Sequence, residues 1–456
     1  MGACSGVRTG KRMAVDVLHG EVKRNIILFA LPLAASSILQ QLFNAADVAV
    51  VGRFAGSGAL AAVGANGSVI NLLVNLFVGL SVGANAVISS LIGQKNDKDV
   101  RRSVHTSVMV AVISGCILLI LGQIMAGLVL KWMSTPADII EAAERYFRIY
   151  FLGMPFIMLY NFSAAILRSS GDTKRPLIAL SISGVVNVLL NLFFVIVCGM
   201  GVSGVAVATV LSNVVSSGIL VYILFHETGK LKLELRLLRI DKKLLMRIAR
   251  IGLPAGLQGV VFSLSNVCIQ SALNELGSEY VAGSTAGLNF EFIVYFVVNA
   301  FNQTAVTMIG QNYGARNFKR CRQVTCWAFV LGAAATVVVS LTFLFTRGYG
   351  VKIFTGDETV AAIACMRLSL VLPFELLNLV IEVLSGTMRG MGHSLVPAAV
   401  SVLGICGVRI LYLYTFYPSI AGFQSLILVY PVSWAVTAAT LFMIYMISVR
   451  KKLRQL

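Results

Sequence analysis

Twelve long apolar stretches, separated by short polar loops, constrain this chain more than any other feature. Each is long enough to cross the hydrocarbon core of a bilayer, which takes roughly 20 helical residues. Because 57% of the 456 residues are hydrophobic and only 12% are charged, the chain cannot cover a water-facing surface. We therefore predict an all-α polytopic membrane protein with twelve transmembrane helices. The predicted spans, numbered 1 to 12, are 25–51, 60–92, 104–130, 139–167, 176–197, 202–225, 248–273, 280–309, 324–346, 361–388, 394–417 and 424–448.

The positive charge follows the predicted topology. The net charge of +18 invites a nucleic-acid partner, but most Lys and Arg residues fall in the two termini and in every second loop. The loops between contain only Arg53, Lys131, Arg347 and Lys352. Since cytoplasmic loops carry an excess of Lys and Arg, both termini are predicted to be cytoplasmic. This distribution indicates an integral protein of a cytoplasmic membrane, with lipids and no nucleic acid as partners.

The two halves of the chain repeat short motifs in the same order. The offset stays close to about 220 residues, which indicates an internal duplication. Six helices per copy is an even number, so the copies are parallel and form two pseudo-symmetric six-helix bundles with a cavity between them. The paired motifs are Leu31-Pro32 with Leu253-Pro254, Ile92-Gly93-Gln94 with Ile309-Gly310-Gln311, Pro155-Phe156 with Pro373-Phe374, and Arg168 and Pro176 with Arg389 and Pro397.

This duplication predicts five segments: an N-terminal cytoplasmic segment (1–24), an N-lobe (25–225), a basic linker (226–247), a C-lobe (248–448) and a cytoplasmic tail (449–456). The basic residues of the linker alternate with Leu and Ile. That pattern is typical of a segment lying on the membrane surface, or alternatively of a switch that binds anionic lipids.

Four acidic residues lie inside the apolar stretches: Asp47, Glu291, Glu375 and Glu382. A charge at the centre of a membrane helix costs about 2.5 to 3.5 kcal/mol, so each is expected to be protonated, paired or facing a polar cavity. These conditions are typical of transporters of ions and protons. For Glu382 the sequence does not separate cavity lining from packing.

Polar residues of neighbouring spans can complete a cation site around Asp47. Asn187 and Asn191 are four residues apart and share one face of span 5, so their amide oxygens can bind one cation. Asn161 of span 4 and Thr209 of span 6 add two short oxygen-bearing side chains. The sequence predicts a proton or sodium site here, with sodium at Asp47, Asn187 and Asn191. The alternatives are a snorkelling acid and ordinary interhelical hydrogen bonds.

The deep charges also suggest a substrate. Arg409 is predicted to pair with Glu291 or Glu375, since an isolated arginine at that depth is equally costly. With Arg409 as the one deep base, acids outnumber bases and favour organic cations. Aromatic rings can add cation–π contacts, although such residues are also ordinary packing residues. The predicted substrate cavity contains Glu291, Glu375, Tyr295, Phe156, Tyr160 and Gln258, with further rings at Phe290, Phe296 and Phe374.

Together these motifs, with the loop from Arg168 to Pro176, resemble the multidrug and toxic compound extrusion transporters over about residues 25 to 450. The resemblance implies cation-coupled efflux of drugs across a prokaryotic membrane by rocking between outward-open and inward-open states. It also implies that an Asp in the first helix, here Asp47, binds the coupling proton or sodium with Asn161, Asn187, Asn191 and Thr209. No cofactor is implied, and a twelve-helix bundle can enclose its pathway as a monomer.

This sequence departs from the family at Asn191, where some relatives have a second Asp. Another branch of the family uses acids in spans 7 and 10, where this chain has Gln258, Asn266 and Asn378. A cation site of that kind is not expected here. Glu291, in contrast, falls where many relatives carry an acid in span 8, which implies a role in the cavity.

Two other functions fit parts of the sequence. A flippase for lipids or lipid-linked oligosaccharides would share the two-lobe architecture, but such proteins commonly line the cavity with several Arg or Lys residues. An intramembrane protease is suggested only by the G-x-S-x-G pattern from Gly79 to Gly83. That pattern lies inside a predicted helix without a His at comparable depth, so small residues for close helix packing explain it better. The chain is not expected to be an enzyme.

Overall fold

A computed structural model describes residues 14–55, 57–132, 139–353 and 355–449. These residues form sixteen α-helices and contain no β-strand. Eleven helical segments are long and apolar enough to cross a membrane, and a bent helix pair supplies a twelfth. The prediction of an all-α protein with twelve membrane helices is confirmed. The ends of the predicted terminal segments, 1–13 and 450–456, lie outside the described residues.

The helices of the first half are α1 (Val22–Val50), α2 (Ser57–Gly93), α3 (Asp97–Trp132), α4 (Ile140–Leu152), α5 (Met154–Ser169), α6 (Lys174–Leu192) and α7 (Gly201–His226). Those of the second half are α8 (Lys242–Glu275), α9 (Ser278–Gly314), α10 (Phe318–Gly350), α11 (Glu358–Val371), α12 (Glu375–Gly390), α13 (Leu395–Ser401), α14 (Val408–Thr415), α15 (Phe423–Ile427) and α16 (Val429–Ile444). Four π-helical segments, Val51–Ala55, Phe193–Val197, Val402–Gly407 and Tyr445–Val449, extend or join these helices.

The chain divides into two compact units. The first contains residues up to Val17 and Ala35–Leu253, and the second contains Leu18–Ala34 and from Pro254 onward. Two of the boundaries between the units fall inside helices, and each lies beside a repeated Leu-Pro motif. One is near Pro32 in α1, and the other is at Pro254 in α8. The predicted segment boundaries at 24, 225, 247 and 448 stay predictions.

The fourth span of each half is broken at its repeated proline. In the first half α4 and α5 meet at an angle of 45° around Gly153, just before Pro155. In the second half a 3₁₀ turn with Pro373 separates α11 from α12. Proline has no backbone N–H and blocks the preceding helical turn, so each proline interrupts the α-helix beside it, with the larger bend in the first half.

Small residues allow close helix packing inside each unit. A Cβ on Gly115 of α3 would lie 2.4 Å from the Cα of Pro155, and one on Gly83 of α2 would lie 2.4 Å from the carbonyl oxygen of Ile248. In the second unit, a Cβ on Gly386 of α12 would lie 2.6 Å from the carbonyl oxygen of Asn302. Gly83 belongs to the G-x-S-x-G pattern, and the hydroxyl of its Ser81 donates to the Val78 carbonyl of the same helix. The geometry agrees with a packing role for this pattern.

Candidate cation site

Two helices of the first unit, α6 and α7, bring polar groups to Asp47 of α1. The side-chain amide of Asn191 in α6 donates to Asp47 Oδ1 and also to Asn187 Oδ1, at 3.2 Å for the latter. Asn191 is fully buried and Asn187 is 5% exposed. The Thr209 hydroxyl of α7 is near enough to interact with the Asp47 carboxylate. Four of the five predicted coupling residues therefore lie together.

The free hydrogen-bonding capacity of this group suits a cation. Thr209 already donates its proton to the Val205 carbonyl at 2.9 Å, so its oxygen can accept from a protonated Asp47 or bind a metal ion. Among the described residues, Asn191 Oδ1 is buried without a hydrogen-bond partner. A carboxylate, an unpartnered amide oxygen and a hydroxyl are the hard ligands that a proton or a sodium ion requires.

A glycine on α6 brings α1 close enough for this contact. The ring of Phe43 in α1 occupies the space beside Gly184, where a Cβ would lie 1.8 Å from the ring carbon Cε2. Phe43 and Asp47 are four residues apart in α1, and Gly184, Asn187 and Asn191 follow each other at spacings of three and four in α6. Residues at these spacings share one helix face, so the packing of Phe43 on Gly184 also brings Asp47 to the asparagines.

Apolar packing closes one side of the site. The chain enters a π-helical segment just after Asp47 and again just after Asn191. Buried valines from the end of α1, from these segments and from α7 pack together as one cluster. Its buried members are Val50, Val51, Val195 and Val205. Exclusion of water on this side strengthens electrostatic interactions at the carboxylate.

Among the described residues, no hydrogen bond joins Asn161 to Asp47 or to the other predicted coupling residues, and its part in the site stays a prediction. Its side-chain amide donates to the Ile157 carbonyl of its own helix at 2.8 Å. Span 4 contributes Tyr146 and Tyr150 of α4, which are near enough to interact electrostatically with Asp47. Sequence reasoning missed both tyrosines, although their spacing of four residues places them on one helix face.

The deep acids of the second unit have different partners from those predicted. Arg367 of α11 donates to both carboxylate oxygens of Glu291 in α9, at 2.7 and 2.9 Å, and to Ser284 Oγ at 2.7 Å. The predicted pairing of Arg409 with Glu291 or Glu375 is wrong. Arg367 meets Glu291 because α11 packs along α9. Arg367 lies near the start of predicted span 10, and the sequence did not show that its side chain is buried.

Arg409 is held by neutral groups instead. Its guanidinium donates to Asn266 Oδ1 at 2.9 Å and to Ser433 Oγ at 3.2 Å. It also lies 4.6 Å from the ring centre of Tyr430, whose ring is 5.1 Å from the Arg367 guanidinium. Tyr430 thus interacts with two buried cations. Within the described residues, Arg409 Nη2 has no hydrogen-bond partner.

The remaining acids belong to two further polar groups. Glu375 is 2% exposed and accepts from the Asn378 amide at 3.1 Å. Glu382 accepts from the Asn302 amide and is near enough to interact electrostatically with Arg389. Glu382 therefore has polar partners and does not face an apolar contact.

These contacts change the charge balance expected from the sequence. Arg367, Arg389 and Arg409 are exposed by only 1%, 7% and 0%. In the second unit they match the three acids Glu291, Glu375 and Glu382 in number. The prediction that Arg409 is the one deep base is wrong, because membrane-span limits read from sequence do not show which way a side chain points. The predicted excess of negative charge does not hold in this unit.

The predicted substrate residues are distributed over both units. Phe156 and Tyr160 lie in α5 of the first unit, where the Tyr160 hydroxyl donates to the Pro176 carbonyl at 3.5 Å. Gln258 in the second unit accepts from Arg389 at 2.6 Å, and Tyr295 lies in the electrostatic surroundings of Glu382. Of the other rings, Phe290 packs on Phe343, Phe296 stacks on Phe292, and Phe374 is 41% exposed. Their common role in a substrate cavity stays a prediction.

Known proteins are similar to this chain over most of its length. The sequence model of the MatE family matches residues 32–193 and 254–415, one match in each half. The probable multidrug resistance protein YoeA of Bacillus subtilis is 30% identical over 85% of this chain and 86% of its own length. The probable multidrug resistance protein NorM of Thermotoga maritima is 28% identical over 86% of this chain and 84% of its own length.

Solved structures share the fold. A multidrug resistance MATE transporter in an outward-facing conformation superposes with a TM-score of 0.90 at 23% identity, over 97% of this chain and 99% of that one. A MOP superfamily transporter from Pyrococcus furiosus, for which reversed polarity of the binding pocket suggests a different function, gives a TM-score of 0.89 at 23% identity over 97% and 98%.

Proposed function

Since this chain belongs to the MatE family of multidrug and toxic compound extrusion transporters, we propose that it exports organic cations in exchange for protons or sodium ions. It is an integral membrane transporter with small-molecule substrates, as its apolar helices and multidrug-resistance relatives support. The proposal adds the coupling ion, its site at Asp47 and transport by alternating access.

The observation that carries the proposal is the carboxylate of Asp47 inside an apolar helix, hydrogen-bonded to the fully buried Asn191. An ionised Asp47 accepts from Asn191 and attracts a cation. A protonated Asp47 can instead donate to the Thr209 oxygen, which already has its own proton engaged. The site therefore has two arrangements of hydrogen bonds, one for each occupancy.

Exchange follows if the two occupancies favour different conformations of the first unit. A cation at Asp47 and a bound drug then favour different states, and each lowers the affinity for the other. One charge moving inward down 100 mV provides about 2.3 kcal/mol, and one pH unit adds about 1.4 kcal/mol. For a neutral substrate the sum supports a gradient of roughly five-hundredfold, because about 1.4 kcal/mol corresponds to a factor of ten. A cationic substrate reaches less, since its own charge opposes the exchange.

The test is gradient-driven transport of a fluorescent organic cation in proteoliposomes. Asp47→Asn removes the titratable carboxylate and should abolish gradient-driven movement. Asp357→Asn is the matched control, because Asp357 caps the N-terminus of α11 and asparagine caps helices equally well. Equal transport by the Asp47 variant and the control would contradict the proposal.

The same vesicles identify the coupling ion. An imposed pH gradient at fixed sodium, and a sodium gradient at fixed pH, are applied in parallel. One of the two gradients should drive transport in the wild type and fail to do so in Asp47→Asn. That gradient identifies the coupling ion. No transport under either gradient by a well-folded protein would argue against coupling at Asp47.

One observation favours a second candidate, a flippase for lipids or lipid-linked oligosaccharides. The second unit contains three buried arginines, and several basic residues are what phosphate recognition requires. However, Arg367 is engaged bidentately by Glu291, and Arg389 already donates to Gln258. The test is the rate at which a fluorescent lipid of the inner leaflet becomes accessible to an external reductant. Equal rates with and without the protein would eliminate this candidate.

A further inference from the structure

A cavity lies between the start of α3 and the segment that joins α7 to α8. Its volume is about 650 Å³, within the range of roughly 300 to 1,000 Å³ typical of small-molecule sites. Five basic side chains line it, whereas two acidic ones do so. The basic ones are Lys98, Arg101, Arg102, Lys230 and Arg239. None of these residues belongs to the proposed cation site.

The joining segment is fixed against α3 by backbone contacts. The Glu234 N–H donates to His105 Nε2 at 3.1 Å, and the Asp241 N–H donates to Thr106 Oγ1 at 3.1 Å. Leu231 and Leu233 bury their side chains at 6% and 2% exposure. The cavity wall is therefore formed before any ligand arrives, which lowers the entropic cost of binding.

Ion pairs neutralise only part of the positive charge that lines the cavity. Arg101 pairs with Glu234 at 2.7 Å, and Lys230 pairs with Asp97 at 3.1 Å. Arg102 lies 3.8 Å from the carboxylates of both Asp99 and Asp241. Within the described part of the chain, Lys98 and Arg239 form no ion pair and are exposed. They provide the charge with which an anion in the cavity can interact.

Exposed apolar side chains beside the cavity indicate where the anion comes from. Leu235, Leu237 and Ile240 are exposed by 67%, 39% and 38%, and Leu237 also lines the cavity. Apolar residues interleaved with basic ones are typical of segments that lie in the membrane interface, with the apolar side chains toward the acyl chains. A soluble phosphate would not need them.

We propose that this cavity binds the phosphate-bearing headgroup of an anionic membrane lipid, with Lys98 and Arg239 as its principal contacts. Arg101 and Arg102 surround the same space and add hydrogen-bond donors suited to phosphate. The lipid then fixes the segment between α7 and α8 to α3 from the membrane side, adding to the contacts of His105 and Thr106.

The test is native mass spectrometry of the purified full chain with dioctanoyl phosphatidic acid. Lys98→Gln/Arg239→Gln should bind about thirtyfold more weakly than the wild type, since two attractions to an anionic lipid are lost. Arg236→Gln/Lys243→Gln is the matched control, because it removes the same charge from exposed residues outside the cavity lining. The control should bind within about twofold of the wild type.

Four results would overturn the proposal. Equal weakening in both double variants would show a general charge effect. Equal binding of dioctanoyl phosphatidylcholine would show that the anionic headgroup is not recognised. Inorganic phosphate that displaces the lipid at equal concentration would show a site for free phosphate. The charge-conserving Lys98→Arg/Arg239→Lys should bind like the wild type, and its failure to do so despite an unchanged unfolding temperature would also contradict the assignment.

Discussion

Replacing Gly184 with alanine should separate α1 from α6 and disable the candidate cation site without touching a polar residue. The new Cβ would lie 1.8, 2.0 and 2.3 Å from three ring carbons of Phe43. Carbon atoms pack at about 3.5 to 4.0 Å, so the ring or its helix must move by roughly 1.5 Å. Overpacking of this kind costs about 1 to 3 kcal/mol. A shift of α1 by that amount breaks the hydrogen bond between Asn191 and Asp47.

The assay is the initial rate of gradient-driven transport in proteoliposomes, together with the unfolding temperature in detergent. Gly218→Ala is the matched control, because Gly218 of α7 has no atom within 4 Å of the added Cβ. That variant should keep full transport and gain stability from its higher helix propensity, by up to about 1 kcal/mol. Gly184→Ala should lose at least about tenfold in rate, since the hydrogen bond it breaks involves a charged group.

A second substitution tests the cause. Phe43→Ala removes the ring that the new Cβ meets, so Gly184→Ala/Phe43→Ala should recover part of the transport that Gly184→Ala loses. The reasoning is refuted if Gly184→Ala behaves like Gly218→Ala in both rate and stability. It is also refuted if the double variant transports no better than Gly184→Ala.

Three further substitutions test contacts away from the cation site, each by thermal or denaturant unfolding in detergent. Arg367→Met leaves Glu291 buried without its bidentate partner and should cost about 3 to 5 kcal/mol, whereas Arg367→Met/Glu291→Gln should cost less; equal costs would refute the pairing. Gly171→Ala should cost at least about 1 kcal/mol, because this residue has φ of +96° and its Cβ would lie 2.3 Å from the Val15 carbonyl oxygen; an unchanged unfolding temperature would contradict that packing. Asn66→Leu removes the hydrogen bond from α2 to the backbone of α4 and should cost about 0.5 to 2 kcal/mol; a stabilised variant would show that this bond contributes nothing.

The sequence was sufficient for the features that depend on hydrophobicity and repetition. Apolar length predicts the spans because lipid imposes helices that satisfy their own backbone groups. The repeated prolines coincide with the breaks at Gly153 and at Leu372–Phe374 because proline acts locally. The i and i+4 spacing of Asn187 and Asn191 likewise placed both on one face, and that face meets Asp47.

Partner choice between helices could not be predicted in the same way. Glu291 pairs with Arg367, 76 residues away, and only the packing of α9 on α11 decides this. Arg409 is stabilised by Asn266 and by the ring of Tyr430, neither of which a search for opposite charges would select. The side-chain amide of Asn161 donates to the Ile157 carbonyl of its own helix, a choice that a single sequence does not reveal.

The π-helical segment Val402–Gly407 decides which way Arg409 faces. A π-helical turn accommodates one residue more than an α-helical turn, and each residue turns an α-helix by about 100°. Gly404 in this segment lies where a Cβ would meet Thr437 Oγ1 at 2.4 Å, which fixes α13 against α16 before the direction changes. An unbroken α-helix over the same residues would turn Arg409 by about 100° further around the helix axis, away from Asn266. The orientation of the most buried cation of the second unit thus depends on the number of residues in one turn.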